Sequence, residues 1–155
     1  MLYTSTRDNS LKVTSAEAIT SGISKEGGLF VPCEIPGVDL DFINSMVNDS
    51  YKQRAKKILS LYLTDFTPDE VSSFVEEAYA DGKFSSEDVA PVVNLHDNVN
   101  ILELWKGPTC AFKDMALQLL PHLLTGAAKK TLDNKEIVIL VATSGDTGKA
   151  ALEGF

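Results

Sequence analysis

The chain has 155 residues, 44% of them apolar and 23% charged, and its 14 basic and 22 acidic side chains give a formal net charge of −8. These proportions exclude wholesale disorder and collagen-like repeats, and a sequence pI near 4.7 argues against nucleic-acid binding, which needs a Lys/Arg surface to release counterions. No apolar run approaches the ~18 residues that span a bilayer, and the first ten residues lack the basic-then-apolar pattern of a secretory signal. The two cysteines, Cys33 and Cys110, make neither a disulfide framework nor a zinc pattern. A cytoplasmic protein with free thiols, binding neither membrane nor nucleic acid, is the expectation.

The first half reads as mainly helical. Thr14-Ser15-Ala16-Glu17 is a capping-box pattern, and the helix it opens is expected to stop near Gly22. A turn at Glu26-Gly27-Gly28 precedes Leu29-Phe30-Val31, a short apolar run closed by Pro32 and read as a strand. Asp39 can cap a short helix through Met46. Over residues 51–63, Tyr51, Ala55, Ile58, Leu59 and Tyr62 recur at three- and four-residue spacing, which predicts an amphipathic helix. Thr67-Pro68-Asp69-Glu70 is a stronger start. Thr67 caps, Pro68 loses no hydrogen bond at the first helical position, and two acids face the positive helix end. That helix presents Val71, Phe74, Val75 and Ala78 on one side, with Gly82 as its expected end.

After residue 90 the pattern changes. Residues 101–105 read as a strand, Lys106-Gly107-Pro108-Thr109 as a loop, and residues 111–130 as a helix that Pro121 can kink. The run 137–142 is apolar without alternation, which suggests a strand buried on both faces of a parallel sheet. A Gly-rich turn, Thr143 to Gly148, leads into a last helix over residues 147–155. Strand, helix, strand, helix spells a βαβα unit. The expected class is α/β, with a small, mainly helical N-terminal domain carrying a short strand element (residues 1–90). The start of a parallel-sheet domain (91–155) follows it. Two strands cannot complete such a sheet, so the domain is expected to be incomplete. The exposed apolar surface should then promote self-association or exchange of an element between chains.

Two segments could carry chemistry. In Thr143-Ser144-Gly145-Asp146-Thr147-Gly148, the helix start offers unpaired N–H groups and a partial positive charge, the glycines permit close backbone approach, and Ser144 and Thr147 add hydroxyls. The set suits a carboxylate or phosphate. The alternative is an ordinary turn in which Ser144, Asp146 or Thr147 merely caps. A nucleotide-binding P-loop is excluded, because Thr143 stands where its first glycine should be and Ala150 where Ser/Thr should follow Lys149. In Gly107-Pro108-Thr109-Cys110-Ala111-Phe112-Lys113-Asp114, Lys113 sits near a helix start among apolar or small neighbours. Desolvation and the helix dipole would both favour its neutral, nucleophilic form, able to condense with an aldehyde. The alternative is a surface lysine paired with Asp114 or reaching solvent. His96 and His122 stand outside any metal-ligand spacing, so no metal is expected, and Cys110 reads as a small packing residue.

Four segments in order resemble the threonine synthase family of fold-type II pyridoxal-phosphate enzymes. They are Tyr3-Thr4-Ser5-Thr6-Arg7, the stretch from Gly22-Ile23 through Gly27-Gly28-Leu29-Phe30-Val31-Pro32, the segment from Leu102-Glu103-Leu104 to Ala111-Phe112-Lys113-Asp114, and Ala142-Thr143-Ser144-Gly145-Asp146-Thr147-Gly148. The resemblance implies that Lys113 carries pyridoxal 5'-phosphate as a Schiff base and is the catalytic residue. It implies that Asp146 lies against the cofactor ring, and that Ser144, Gly145 and Thr147 bind the substrate, O-phosphohomoserine. The implied activity is that of a lyase of threonine biosynthesis, converting O-phospho-L-homoserine and water to L-threonine and phosphate. Cysteine synthases and related members usually carry Asn where this chain has Asp146, which favours the threonine synthase branch. A cysteine synthase or hydroxy-amino-acid dehydratase type is one alternative. A non-catalytic homologue that binds an anion or partner is the other. The family's cup for the cofactor phosphate and its residue facing the pyridine nitrogen resemble nothing here, so these 155 residues alone are expected not to turn over substrate.

Overall fold

A computed structural model describes residues 1–133 and 136–155. The chain begins with strand β1 (Tyr3–Ser5), helix α1 (Ser15–Ser21) and strand β2 (Phe30–Pro32). β1 and β2 pair antiparallel, with Thr4 opposite Val31. This small sheet joins the first two resemblance-bearing motifs. The Ser5 and Ser24 hydroxyls lie 2.9 Å apart, Ser24 Oγ donates to the Gly28 carbonyl at 2.8 Å, and Arg7 Nη1 donates to the Glu26 carbonyl at 3.1 Å. The expected strand at 29–31 is thus present, one residue later. Its partner, β1, carried too few residues to be visible in the sequence.

Three helices follow: α2 (Leu40–Asn44), α3 (Tyr51–Tyr62) and α4 (Pro68–Ala78). The capping signals hold at the level of atoms. Thr14 and Thr67 each accept from the third helical N–H, and Glu17 and Glu70 each return a bond to the cap's own N–H. Ser50 and Gln53 form a third such box at the start of α3. Asp39 Oδ1 accepts from Phe42 N at 2.8 Å and caps α2. α4 stops at Tyr79 rather than Gly82.

The second half departs from the expected βαβα order. β3 (Val92–His96) and β4 (Val99–Leu102) form an antiparallel hairpin. The strand read at 101–105 is therefore the end of this hairpin and does not enter a parallel sheet. The expected helix over 111–130 is split into α5 (Asp114–Leu117) and α6 (Leu120–Thr131). Pro121 explains the break. Having no N–H, it cannot donate to the Leu117 carbonyl four residues back. Helix α7 (Asp146–Gly154) packs at this break, and Gly154 lies so close to the Leu117 carbonyl that a Cβ there would overlap it. Residues 137–142 are extended but pair with no strand among the described residues. They are exposed, Leu140 at 91%, so the two-sided burial expected of them is not seen.

The core lies between the helices. Ala16, Leu63, Phe66, Val71 and Ala127 form one buried cluster, and Val75, Ala78, Tyr79, Phe84 and Val89 a second, with Leu59 packed against both. α6 packs on α1 and α4, so a helix from the expected second domain completes the core of the first.

Candidate active site

Lys113 precedes α5 and is half-buried. Its backbone is held from behind, because its carbonyl accepts from Ala116 N at 3.2 Å and Leu117 N at 2.9 Å. Its side chain faces a cavity of about 860 Å³ whose lining includes Tyr51 and Arg54 from α3, Val92 and Leu102 from the hairpin, and Thr147 from α7. Nζ lies 4.8 Å from the centre of the Phe112 ring, a cation–π distance. Among the described residues no carboxylate comes within ion-pair distance of it. The dipole expected beside Lys113 from a twenty-residue helix is that of the single turn α5.

The neighbouring Asp114 is engaged elsewhere. Its carboxylate is fully buried. Oδ2 accepts from Thr109 N at 2.9 Å and Oδ1 from Thr109 Oγ1 at 2.7 Å. A buried carboxylate is tolerated when donors meet both oxygens. The alternative Lys113–Asp114 pair is therefore not formed. Gly107 completes this corner, since a Cβ at that position would stand 2.5 Å from Asp114 Cβ. Cys110 N donates to the Gly107 carbonyl at 3.1 Å, and Cys110 itself has φ of 59°. Its side chain is exposed, not packed as expected.

The turn before α7 is held by a residue that the sequence reading did not single out. Thr143 Oγ1 accepts from Gly145 N at 3.0 Å and Gly148 N at 3.1 Å. Capping thus falls to Thr143, not to Ser144, Asp146 or Thr147. Hydroxyl-bearing turns of this type are a known local motif, and Thr143 was legible as one. Among the described residues the Ser144 and Thr147 hydroxyls make no hydrogen bond, which leaves them free for a ligand. Gly145, at φ of 145°, lines a second cavity of about 420 Å³ together with Thr143 and Gly148. Ser144 and Asp146 are exposed and line neither cavity. Of the expected site residues, the structure brings Lys113 and Thr147 to one cavity, places Gly145 on a separate one, and leaves Ser144 and Asp146 on the exposed turn.

Arg54 is the other cation on the Lys113 cavity, and neither its position nor the Asp114–Thr109 pair was found from the sequence. Arg54 Nε and Nη2 donate to the carbonyls of Met46 and Val47, each at 3.0 Å. His122 does have a carboxylate neighbour, Glu77, 3.0 Å from its Nδ1. No group of three or more His, Cys, Asp or Glu gathers at metal-binding distance among the described residues. No helix among them is long and apolar enough to cross a membrane.

A lysine amine and a free hydroxyl on one largely apolar cavity define a pocket for a small organic molecule. Residues 2–79, just over half of the chain, match the family described as "Threonine synthase N terminus", and the chain belongs to that family. It is 36% identical over 161 residues to threonine synthase of Schizosaccharomyces pombe, covering 99% of this chain and 31% of that protein. Against threonine synthase-like 2 of Xenopus laevis the identity is 37% over 155 residues, covering 99% and 32%. The crystal structure of PLP-bound threonine synthase from Brucella melitensis superposes with a TM-score of 0.91 at 35% identity, over 100% of this chain and 33% of that one. The chain spans about a third of the length of these relatives.

Proposed function

We propose that the chain is the lysine-bearing part of a pyridoxal 5'-phosphate-dependent threonine synthase, a cytoplasmic lyase that converts O-phospho-L-homoserine and water to L-threonine and phosphate. One observation carries this reading: Lys113 and Thr147, from motifs far apart in sequence, line the same cavity. The residues present fit the cofactor. The amine stands clear of any carboxylate, the walls are apolar enough to take an aromatic ring, and the volume matches that of small-ligand pockets. The TM-score of 0.91 to a PLP-bound threonine synthase supports the same assignment.

When bound, the cofactor supplies an electron sink that lets protons leave the substrate carbon skeleton and phosphate depart from its Cγ. The chain's own residues do the rest. Lys113 Nζ would hold the cofactor and, once released, would take and return protons at Cα and Cβ as base and then acid. The Ser144 and Thr147 hydroxyls and the backbone at Gly145 would hold the substrate carboxylate at the start of α7, where the N–H groups of Asp146 and Thr147, without a partner among the described residues, favour an anion. Asp146, exposed on the rim of the turn, would face the cofactor's ring edge. Within this reading, residues 1–90 form the helical domain and 91–155 the beginning of the PLP-binding domain. Residues 137–142, apolar on both faces, are the candidate strand of its parallel sheet.

Borohydride reduction of the chain with pyridoxal 5'-phosphate, followed by peptide mapping, tests the reading. Label concentrated at Lys113 and abolished in Lys113→Ala supports it, and label spread evenly over the twelve lysines refutes it. A visible-range titration adds the strength of binding. Weak uptake, trappable at Lys113 only with excess cofactor, is expected of these 155 residues, and a tight stoichiometric band lost in Lys113→Ala would show that they suffice. The second reading, a non-catalytic homologue, is favoured by the equal identity to a protein named threonine synthase-like. It requires that Lys113 stay unlabelled.

A further inference from the structure

We propose that Asp114 is a positioning residue for Lys113, acting through Thr109. The inference rests on the reading of Lys113 as the lysine that holds the cofactor, and it adds the device that aims it. Lys113 has no hydrogen bond or ion pair of its own side chain among the described residues, so its direction is set by the backbone on either side. On the C-terminal side that backbone is the single turn α5, too short to be stable by itself. On the N-terminal side it is the loop 106–112, whose ends must be brought together. The Asp114–Thr109 pair does both. Its two bonds of 2.7 and 2.9 Å close the loop across five residues, and Asp114 N donates to the Ala111 carbonyl at 3.0 Å, fixing the chain on both sides of Lys113.

The corner is built for this contact. Asp114 is wholly buried, Thr109 is 8% exposed, and the absence of a Cβ at Gly107 is what admits the carboxylate. Lys106, the first residue of the loop, gives its carbonyl to Ser85 N at 2.8 Å, which anchors the loop to the chain that follows α4. The carboxylate is also kept from pairing with the amine one residue away. Releasing it would loosen the loop and set a competing anion free beside Lys113.

The test uses three variants of the whole chain: Asp114→Asn, Thr109→Val and Thr109→Ser. Each is trapped with pyridoxal 5'-phosphate and borohydride, and the rate of labelling at Lys113 is compared with that at the other lysines. Circular dichroism melts establish that each variant is folded. Asp114→Asn and Thr109→Val are expected to label Lys113 about tenfold more slowly relative to the other lysines, a fraction of the roughly hundredfold that a misplacement of ~1 Å can cost a reacting group. Thr109→Ser, which keeps the hydroxyl, is expected to stay within about twofold of the parent. A merely structural pair would lower the melting temperature without changing the preference for Lys113. If Asp114→Asn does not fold, the Thr109 variants decide, because they leave the carboxylate in place. Unchanged preference in folded Thr109→Val overturns the proposal, as does equal loss in Thr109→Ser. Absence of any Lys113 preference in the parent chain refutes instead the reading on which it rests.

Discussion

The helical body built from α1, α3, α4 and α6 and the apolar segments at 92–102 and 137–142 have similar side chains and opposite fates. In the body, Val71 is 1% and Val75 0% exposed. In the hairpin every residue is exposed, and along 137–141 the apolar side chains run from 41% to 91% exposed. A helix satisfies its backbone internally and needs only one covered stripe. A strand apolar on both faces needs neighbours at its edges and on each face before it buries anything. The same hydrophobicity thus stabilises one region and leaves the other an adhesive surface.

The contrast can be broken or sharpened by mutation. The largest effect is expected in the body. Val75→Ala should cost about 2–3 kcal/mol through the cavity it leaves, read as a lowered denaturation midpoint in urea with an unchanged slope. Thr67→Ala should cost about 1 kcal/mol, since it removes the acceptor for the Glu70 N–H and half of a capping box. A smaller, pH-dependent effect is expected from Asp65. Its carboxylate accepts from the Ser15 hydroxyl and from Ala16 N, the latter at 2.9 Å, tying the α3–α4 loop to α1. Partial burial alone would raise its pKa, but these bonds outweigh burial and hold it below the usual aspartate value. A lowered folded pKa gives stability that is present above about pH 4 and is lost as pH falls through the folded value. Melting temperatures measured from neutral to acid pH should therefore fall less steeply in Asp65→Asn than in the parent. Leu140→Ser, on the exposed segment, should change stability by less than about 0.5 kcal/mol while reducing concentration-dependent association in sedimentation velocity. A large loss of stability there would show that the segment is packed after all.

Legibility in the sequence followed the same line. The caps at Thr14, Asp39 and Thr67 were readable because a cap is settled within four residues. The hairpin was not, because pairing Val92 with Leu102 depends on a turn, Asp97-Asn98, that the apolar pattern did not mark. The break of the long helix was announced by Pro121 as a kink and became a full interruption because α7 occupies the gap. At the candidate site, Lys113 and Thr147 were legible from motif and spacing. The alternative of Asp114 as a partner for Lys113 rested on proximity in sequence, which says nothing about which way a buried carboxylate turns. Nothing in the sequence set Arg54 apart. Its place on the cavity wall arises from packing between elements about 60 residues apart in sequence.

Tyr79 closes α4, and its hydroxyl donates to the Met115 carbonyl at 2.7 Å, within the turn that Lys113 begins. Burial pushes its pKa upward, so it stays protonated and donating at neutral pH. That single bond ties the end of α4 to the turn that Lys113 begins, so the placement of the turn depends on how the N-terminal helices pack.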